Sequence, residues 1–475
     1  MPQPTALVWF RNDLRVSDHP ALAAAAASGL PVLCLYILDD ESLGLRSLGG
    51  ASRWRLDRAL AALEGELARR GVTLHFLRGA AEKLLPEVAA AAQATRLFWS
   101  RRYGGGEVAS DTRLKQALRD RGCEVHSFNA SLLAEPWQVT SKSGGSFKVY
   151  TPFWRALREQ IEPLPPLPAP ERLNAAAWPA AAPPALRREA LALAPTRPNW
   201  AAGFPDPEAG EAGARARLGA FLETRLKTYA SGRDRLDRDA TSRLSAHLRF
   251  GEISPRQIFA ATAPDAAGAD KFLSELGWRE FSYHLLFHFP DLGWRNFNPR
   301  FDGFPFARDD AALEAWRCGR TGYPLVDAAM RELWTTGQMH NRARMIVASF
   351  LTKHLLIDWR KGEKWFWDTL VDADEANNAA SWQWVAGCGA DAAPYFRIFN
   401  PVLQGEKFDP DGAYARRFCP ELARLPASHI HKPWTAPPAM LAAAGVRLGE
   451  NWPRPIVDHD FARRRALDAF AALTA

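Results

Sequence analysis

The chain has 475 residues, of which 47% are hydrophobic and 24% are charged, the composition of a globular protein. This length exceeds what one hydrophobic core normally serves, and it predicts two domains. No apolar run is long enough to span a bilayer and no signal peptide opens the chain, so we expect no membrane contact.

The formal charge of +7 is compatible with a nucleic-acid partner, but it does not locate a binding surface. Residues 206–475 carry 35 Lys and Arg against 34 Asp and Glu, so nearly all of the positive excess lies in the first half. A DNA contact in the second half therefore requires a local cluster of arginines.

The five cysteines are odd in number and form no CxxC pair, which argues against a disulfide framework and a zinc site. A reducing, cytoplasmic location is expected. They are Cys34, Cys123, Cys318, Cys388 and Cys419.

Short apolar segments alternate with helical patterns in the first 130 residues. Strands are predicted at 6–10, 32–37, 72–77, 97–100 and 124–128. This alternation predicts right-handed crossovers and a parallel five-stranded sheet. Asp18 followed by Pro20 predicts a helix start with Asp18 as the capping residue.

The turn after the first strand, RNDLRVSD, contains no glycine. A dinucleotide pyrophosphate needs glycines there to approach the backbone, so this sheet is not a standard NAD or FAD binder. Gly104, Gly105 and Gly106 follow the fourth strand at the edge where open sheets bind ligands, but a flexible turn is the favoured interpretation.

Twelve prolines interrupt residues 163–207, which excludes a persistent helix or strand and predicts an interdomain connector. Beyond it the pattern is helical throughout. The predicted organisation is an α/β domain at 1–130, a connector at 131–207 and an all-helical domain at 208–475.

The segment 372–400, DADEANNAASWQWVAGCGADAAPYFRIFN, combines acids, paired amides and two indoles with many small residues. Small residues let a large planar ligand approach the backbone. Trp382 and Trp384 are two residues apart, so on a helix they point in different directions. The pattern indicates a pocket for an aromatic cofactor or a nucleobase.

Five segments in order resemble the photolyase and cryptochrome flavoproteins, most closely the bacterial class I cyclobutane pyrimidine dimer photolyases. Besides 372–400 they are LVWFRNDLRVSDHPAL at 7–22, TSRLS at 241–245, WREF at 278–281 and MHNRARM at 339–345. The resemblance implies a Rossmann-like sheet domain joined to an all-helical FAD-binding domain. It also implies light-dependent repair of dimers in UV-damaged DNA by reduced, anionic FAD, in a monomer without an obligate protein partner.

The resemblance also assigns residues to the cofactor. It places the FAD pyrophosphate on the TSRLS string, for which simple helix capping is the alternative. It pairs Arg344 with Asp372 beside the isoalloxazine ring, directs Asp374 toward the ribitol and ribose, and sets Asn378 at flavin N5. The implied cofactor-binding residues are Tyr229, Thr241, Ser242, Arg243, Leu244, Ser245, Arg279, Asn341, Arg344, Asp372, Asp374 and Asn378.

Asn378 separates two kinds of family member. Its neutral amide favours the fully reduced anionic flavin that repair requires, whereas plant cryptochromes carry aspartate and insect ones cysteine at this place. Asn378 therefore favours an enzyme. The alternative is a structural Arg-Asp pair with a capping asparagine.

For the substrate, Glu275, Trp278 and Arg279 share one predicted helical face. Repair requires a flipped-out dimer, which the resemblance places between Trp278 and Trp384, with Glu275 bound to the bases and Met345 in contact across the pocket. A packed helix edge is the alternative. Catalytic roles are thus implied for Glu275, Trp278, Met345, Asn378 and Trp384, and phosphate contacts for Arg233, Arg342 and Arg397.

Trp382 and Trp359 match the inner members of the family's tryptophan chain for photoreduction, whereas the third position is Phe306. Phenylalanine is much harder to oxidise, so we expect slow photoreduction or an exit through another aromatic residue such as Trp316. Gln338 replaces a tryptophan found in many relatives, and we have no physical account of it.

Three alternatives differ in function. The (6-4) photoproduct enzymes use paired histidines, but here His340 is followed by Asn341 and Met345, which favours cyclobutane dimers. A blue-light cryptochrome normally carries a long disordered tail, whereas after Pro455 this sequence shows only a short helical pattern from Phe461 to Phe470, so we expect an enzyme. A flavin-free DNA-binding module leaves segment 372–400 unexplained. The family resemblance allows a second antenna chromophore, a folate or a deazaflavin, without assigning residues to it.

Overall fold

The computed structural model describes residues 4–142, 144–160, 162, 164–206, 208–263, 265–392 and 396–473. Five parallel strands form one sheet in the order β3-β2-β1-β4-β5. The strands are β1 (Thr5–Phe10), β2 (Val32–Leu38), β3 (Leu74–Arg78), β4 (Ala94–Ser100) and β5 (Glu124–Phe128). The predicted sheet is confirmed, with β3 starting two residues later than expected.

Four helices connect the strands and a fifth follows the sheet. They are α1 (Pro20–Ala27), α2 (Gly50–Ala68), α3 (Ala81–Ala91), α4 (Gly105–Arg119) and α5 (Tyr150–Gln160). Alternate residues of β1 pack into different apolar layers, Val8 and Phe10 on one face and Leu7 and Trp9 on the other. Both faces of the sheet are therefore covered, as parallel sheets require.

The capping residue of α1 differs from the prediction. His19 Nδ1, not Asp18, accepts a hydrogen bond from the Leu22 backbone N–H at 3.0 Å. The Asp18 carboxylate instead accepts from the Leu167 N–H at 3.1 Å and from the Ser254 hydroxyl. Asp18 therefore joins the turn after β1 to the connector and to the helical domain.

The described part of 163–207 contains no α-helix and no strand, only the 3-10 turn Arg188–Leu191, as the prolines predict. We keep the domain limits 1–130, 131–207 and 208–475 as a proposal. Of the described helices, none is both long and apolar enough to cross a bilayer.

The second half of the chain is helical, as expected. Its helices are α6 (Glu211–Thr224), α7 (Tyr229–Gly232), α8 (Ser245–Arg249), α9 (Pro255–Ala261), α10 (Ala269–His288), α11 (Asp310–Arg317), α12 (Pro324–Thr336), α13 (Asn341–Ser349), α14 (Trp359–Thr369), α15 (Glu375–Ala386), α16 (Pro401–Phe408), α17 (Ala413–Phe418), α18 (Ala427–Ile430), α19 (Pro438–Ala444) and α20 (His459–Ala472). The π-helical turn Phe350–His354 continues α13.

Helix α15 is central in the helical domain, where it packs against α10, α13 and α14. The packing against α14 is close because Gly362 has no side chain: a Cβ there would lie 2.1 Å from the Trp382 ring. This arrangement places the segment predicted to bind a planar ligand among three neighbouring helices.

Candidate functional site

A cavity of about 610 Å³ lies among α7, α8, α10, α13 and α15. Pockets for small molecules and cofactors usually measure roughly 300–1,000 Å³. Most of the residues implied by the family resemblance line it, namely Tyr229, Arg233, Ser242, Leu244, Ser245, Glu275, Trp278, Arg279, Asn341, Arg342, Arg344, Met345, Asp372, Asp374, Asn378, Trp382 and Trp384. Four others, Thr241, Arg243, Trp359 and Arg397, are not among its described lining residues.

The Arg344–Asp372 pair is formed. Arg344 Nη2 donates to both oxygens of the Asp372 carboxylate at 2.8 and 3.0 Å, and Arg344 Nε donates to the Met339 carbonyl at 2.9 Å. One turn of α13 also brings Asn341 Nδ2 within 3.9 Å of Met345 Sδ, so these residues share the predicted face. A fixed cation beside a carboxylate thus borders the cavity.

Asn378 is oriented by Glu363, a residue of α14. The Asn378 amide donates to the Glu363 backbone carbonyl at 3.0 Å and to its carboxylate at 2.8 Å. Both partners are acceptors, so the NH₂ group must face them and the amide oxygen must face the other way. Since Asn378 lines the cavity, this oxygen presents an acceptor to a bound ligand.

Asp374 is already engaged by protein groups. Its carboxylate caps α15 by accepting from the Asn377 backbone N–H and side-chain amide, each at 2.8 Å, and it accepts from the Tyr283 hydroxyl. Asp374 lies at the cavity, but a bound ligand must share this network. Helix capping is therefore part of its role.

The TSRLS string immediately precedes and begins α8, as predicted. Ser242 and Ser245 line the cavity, whereas Arg243, with a φ of 52°, turns outward and pairs with Asp239 at 3.0 Å. The left-handed backbone at Arg243 redirects the chain between the two serines. Two serines thus border the cavity, while the intervening arginine does not.

Glu275 is held by two cations. Arg233 contacts its carboxylate, and Lys271, one turn earlier on α10, lies 2.9 Å from it. A base that binds Glu275 must compete with these ion pairs. Lys271 lines the cavity and was not identified from the sequence, because a lysine on a helix surface carries no distinguishing pattern.

The three predicted phosphate-binding arginines have different surroundings. Arg233 and Arg342 line the cavity and pair with acids, Arg342 with Asp234 at 2.7 Å. Arg397 is exposed and lies outside the lining, where its backbone carbonyl accepts from the buried Lys353. Only two of the three arginines therefore belong to the rim of this cavity.

Trp382 contacts two aromatic rings, Phe366 at 5.0 Å and Trp316 at 6.2 Å between ring centroids. Phe366 also lines the cavity, whereas Trp316 is not among its described lining residues. Trp359 is fully buried, donates to Asn296 Oδ1 at 2.9 Å, and lies one turn before Gly362, on which Trp382 packs. Trp316 is thus a ring neighbour of Trp382, and Trp359 lies on α14, the helix against which Trp382 packs.

His340 is the capping residue of α13, where its Nδ1 accepts from the Arg342 backbone N–H at 3.1 Å. Burial lowers the pKa of His340 to about 4. The imidazole is therefore neutral near pH 7 and cannot supply the proton that a histidine-assisted mechanism needs.

The site suits a flavin. It combines an Arg-Asp pair, an outward amide oxygen at Asn378 and a pair of hydroxyls, and no described group accepts a hydrogen bond from the buried Trp382 indole N–H. Isoalloxazine is planar and carries donors and acceptors along its edge, which such groups recognise.

A second, smaller cavity of about 110 Å³ lies where the carboxyl edge of the sheet meets the helical domain. Trp9, Tyr36 and Arg102 line it from the sheet side, and Trp367 and Glu375 line it from α14 and α15. It is the position where open sheets bind ligands, but it is small for a cofactor.

Two family models match the chain. The one described as the FAD binding domain of DNA photolyase covers residues 272–472, and the one described as DNA photolyase covers residues 6–171. The chain is 53% identical to a deoxyribodipyrimidine photo-lyase of Agrobacterium fabrum over 98% of both proteins. It is 39% identical to cryptochrome-1 of Arabidopsis thaliana, over 98% of this chain and 70% of that protein.

Among solved structures, a bacterial class III photolyase from Agrobacterium tumefaciens is similar with a TM-score of 0.95 and 51% identity, covering 100% of this chain and 98% of the other. This similarity does not confirm the expected class I subtype. Light-driven DNA repair and an FAD cofactor are supported by the matches to photolyases and to their FAD-binding domain. The chain belongs to the photolyase and cryptochrome family.

Proposed function

We propose that the 610 Å³ cavity is the catalytic site for splitting cyclobutane pyrimidine dimers in DNA, with FAD bound beside a flipped-out dimer. The observation that supports this proposal is the lining of one cavity by two sets of groups. Arg344, Asp372 and Asn378 suit a flavin, and Trp278 and Trp384 suit a pair of stacked pyrimidines.

The polar residues bind and orient the cofactor. With FAD bound, Arg344 and Asp372 would lie beside its isoalloxazine ring, Ser242 and Ser245 would donate to its phosphates, and the Asn378 oxygen would accept from N5–H of the reduced ring. Reduced FAD, when bound and excited by light, would supply the electron that opens the cyclobutane ring and would take it back once the two pyrimidines have separated. Because Glu363 fixes the Asn378 amide, the acceptor oxygen is in place before the cofactor binds.

The aromatic residues receive the lesion. A dimer outside the helix stack exposes two flat faces, and Trp278 and Trp384 each offer an indole, worth about 1–3 kcal/mol per stacked base. Met345, which also lines the cavity, contacts the dimer across the pocket. Glu275 hydrogen-bonds the bases once a DNA phosphate draws Arg233 away from it, because a guanidinium binds phosphate in a bidentate fashion.

Binding to a dimer tests this assignment. Trp278→Ala and Trp384→Ala should each weaken the binding of an oligonucleotide with a single thymine dimer by about 1–3 kcal/mol, while undamaged DNA binds as before. Fluorescence anisotropy measures both affinities. Equal losses for damaged and undamaged DNA would remove the two indoles from lesion recognition.

The choice of cyclobutane dimers over (6-4) photoproducts rests on His340. His340 is not among the described residues that line the cavity, and burial lowers its pKa to about 4. Asn341 and Met345 follow it where the (6-4) enzymes need a second histidine. A blue-light photoreceptor with little repair activity is the second candidate, since cryptochrome-1 of Arabidopsis thaliana is 39% identical to this chain. Asn378 favours repair, because cryptochromes of plants and insects differ there.

An antenna chromophore is proposed only as an optional component. The second cavity lies at the carboxyl edge of the sheet, where open sheets bind ligands. Its volume of about 110 Å³ does not accommodate a folate or a deazaflavin unless its walls move.

We also propose a monomer that acts without an obligate protein partner in the cytoplasm. Sedimentation of the purified protein tests the oligomeric state.

A further inference from the structure

The indole of Trp278 lies against a tyrosine from outside the helical domain. The rings of Trp278 and Tyr150 are parallel within 9°, with centroids 3.8 Å apart, which is a face-to-face stack. Trp278 lines the cavity, and Tyr150 is not among the described lining residues. Tyr150 therefore covers the rear face of the indole, and the front face remains for a ligand.

Tyr150 is itself fixed at several points. Its hydroxyl donates to the Ser274 carbonyl on α10 at 2.6 Å, and its backbone N–H donates to Asp391 Oδ2 at 3.3 Å. The helices α5 and α10 approach closely, because a Cβ on Gly277 would lie 2.5 Å from the Trp154 ring. The stack is therefore held by the backbone of two packed helices.

This arrangement restricts the motion of Trp278. A phenol on its rear face and Phe281 at 5.9 Å in an edge contact leave the indole little freedom to rotate. A wall that is already ordered does not lose side-chain entropy when the dimer binds. Tyr150 belongs to the predicted connector, so that segment contributes to the site as well as joining the domains.

We propose that Tyr150 is a positioning residue that holds Trp278 as a preformed wall for the flipped-out dimer. This inference rests on the proposed function, since it requires that Trp278 stacks on the lesion. Undamaged bases stay in the helix stack and do not use this wall. Loss of Tyr150 should therefore reduce the preference for damaged DNA rather than DNA binding in general.

The test compares Tyr150→Leu and Tyr150→Phe in the full-length, FAD-loaded protein. Tyr150→Leu should weaken binding of a thymine dimer oligonucleotide about three- to tenfold, while its affinity for the undamaged oligonucleotide stays unchanged. Tyr150→Phe keeps the ring and should retain the original preference. At saturating DNA the repair yield of Tyr150→Leu should match the unsubstituted protein, so the effect lies in KM and not in kcat.

Phe153→Leu is the matched control, because Phe153 is buried on the same helix and contacts Phe281 rather than Trp278. An equal loss of preference in Phe153→Leu, or a full preference in Tyr150→Leu, overturns the inference. If Tyr150→Leu does not fold, Tyr150→Met replaces it, since a flexible side chain fills the space without a ring face. An unsubstituted protein that binds both oligonucleotides equally contradicts the proposed function itself.

Discussion

At the scale of single residues, the orientation of the Asn378 amide bears on which redox state of FAD the protein would favour. The Asn378 amide donates twice to Glu363, so its free oxygen can only accept. Reduced flavin carries a donor at N5 and oxidised flavin does not. If FAD binds as proposed, the pair Asn378 and Glu363 would therefore stabilise the reduced cofactor that repair needs.

Replacing the amide by an acid tests this role. In Asn378→Asp a second carboxyl group would stand beside the Glu363 carboxylate, at about the 2.8 Å that now separates it from the Asn378 amide. The added negative charge should disfavour the negative charge that reduction places on the flavin. We expect the two-electron midpoint potential at pH 8.5 to fall on the order of 30 to 60 mV, or about 1.4 to 2.8 kcal/mol. Asn378→Ser, which adds no charge, should fall less. An unchanged or higher potential in Asn378→Asp would refute the assignment.

The route by which electrons reach Trp382 is a second question at this scale. The family resemblance assigns Phe306 to the third position of the tryptophan chain, and the structure brings Trp316 within 6.2 Å of Trp382. Phe306→Trp should accelerate light-driven reduction of oxidised FAD severalfold and leave repair unchanged. Equal photoreduction rates in Phe306→Trp and the unsubstituted protein would argue against a block at Phe306.

If Trp316 serves as the alternative donor to Trp382, then Trp316→Phe should slow photoreduction further. The absorbance of oxidised flavin under blue light with a thiol reductant measures this rate. Trp452→Phe is a suitable control, because Trp452 is equally buried in the same core. A slower rate in both variants would indicate a general loss of packing.

At the scale of helices, the packing of α14 against α15 depends on Gly362. A methyl group there would lie 2.1 Å from the Trp382 ring, which cannot move without displacing the cavity wall. Gly362→Ala should lower the free energy of unfolding by about 1–3 kcal/mol, as measured by urea denaturation. Gly219 lies on the exposed face of α6, where an added Cβ meets nothing within 4 Å, so Gly219→Ala should raise the free energy of unfolding by about 0.5–1 kcal/mol. A neutral Gly362→Ala would show that the helices can separate.

Helix α10 also anchors the start of the connector through a titratable group. Glu280 accepts from the Leu133 N–H at 2.8 Å, and burial raises the pKa of Glu280 to about 7 from an ordinary value of 4.5. The folded state therefore holds this proton more tightly than the unfolded chain. Its stabilising contribution is complete below about pH 4.5 and is lost as the pH rises through 7.

The variant Glu280→Gln isolates this contribution, because the amide keeps an acceptor and cannot ionise. Relative to Glu280→Gln, the unsubstituted protein should become less stable between pH 5.5 and pH 8.5, as followed by urea unfolding at each pH. If the difference in unfolding free energy between the two proteins does not change with pH, then folding does not raise the pKa of Glu280.

The sequence predicted some parts of the site and not others, for a physical reason. Periodicity predicted the faces of α10 and α13, and the family resemblance supplied the roles of their residues. Glu363 and Tyr150 were missed because they reach the site by packing between distant segments, which no local pattern records. Asp18 is an opposite example, because the local pattern predicted that it caps α1. In the structure its carboxylate instead accepts hydrogen bonds from Leu167 and Ser254, which are distant in the sequence.

At the scale of the whole molecule, the net charge does not determine where DNA binds. Arg233 and Arg342 at the cavity pair with acids, and on the proposed function they would exchange these partners for DNA phosphates. Removing one phosphate-binding guanidinium, as in Arg233→Ala or Arg342→Ala, should reduce the slope of log affinity against log salt by about 0.9. Arg69→Ala on the C-terminal side of α2, where the side chain is 71% exposed, should leave the slope unchanged. Equal slopes in all three variants would place the DNA elsewhere.

Repair itself provides the most direct test of the proposed function. The purified protein with reduced FAD is mixed with an oligonucleotide that contains one thymine dimer, and half of the sample is illuminated with blue light. We predict that dimers disappear in the light and persist in the dark. Persistence of the dimers in the light, with reduced FAD bound, would contradict a repair activity and favour a photoreceptor.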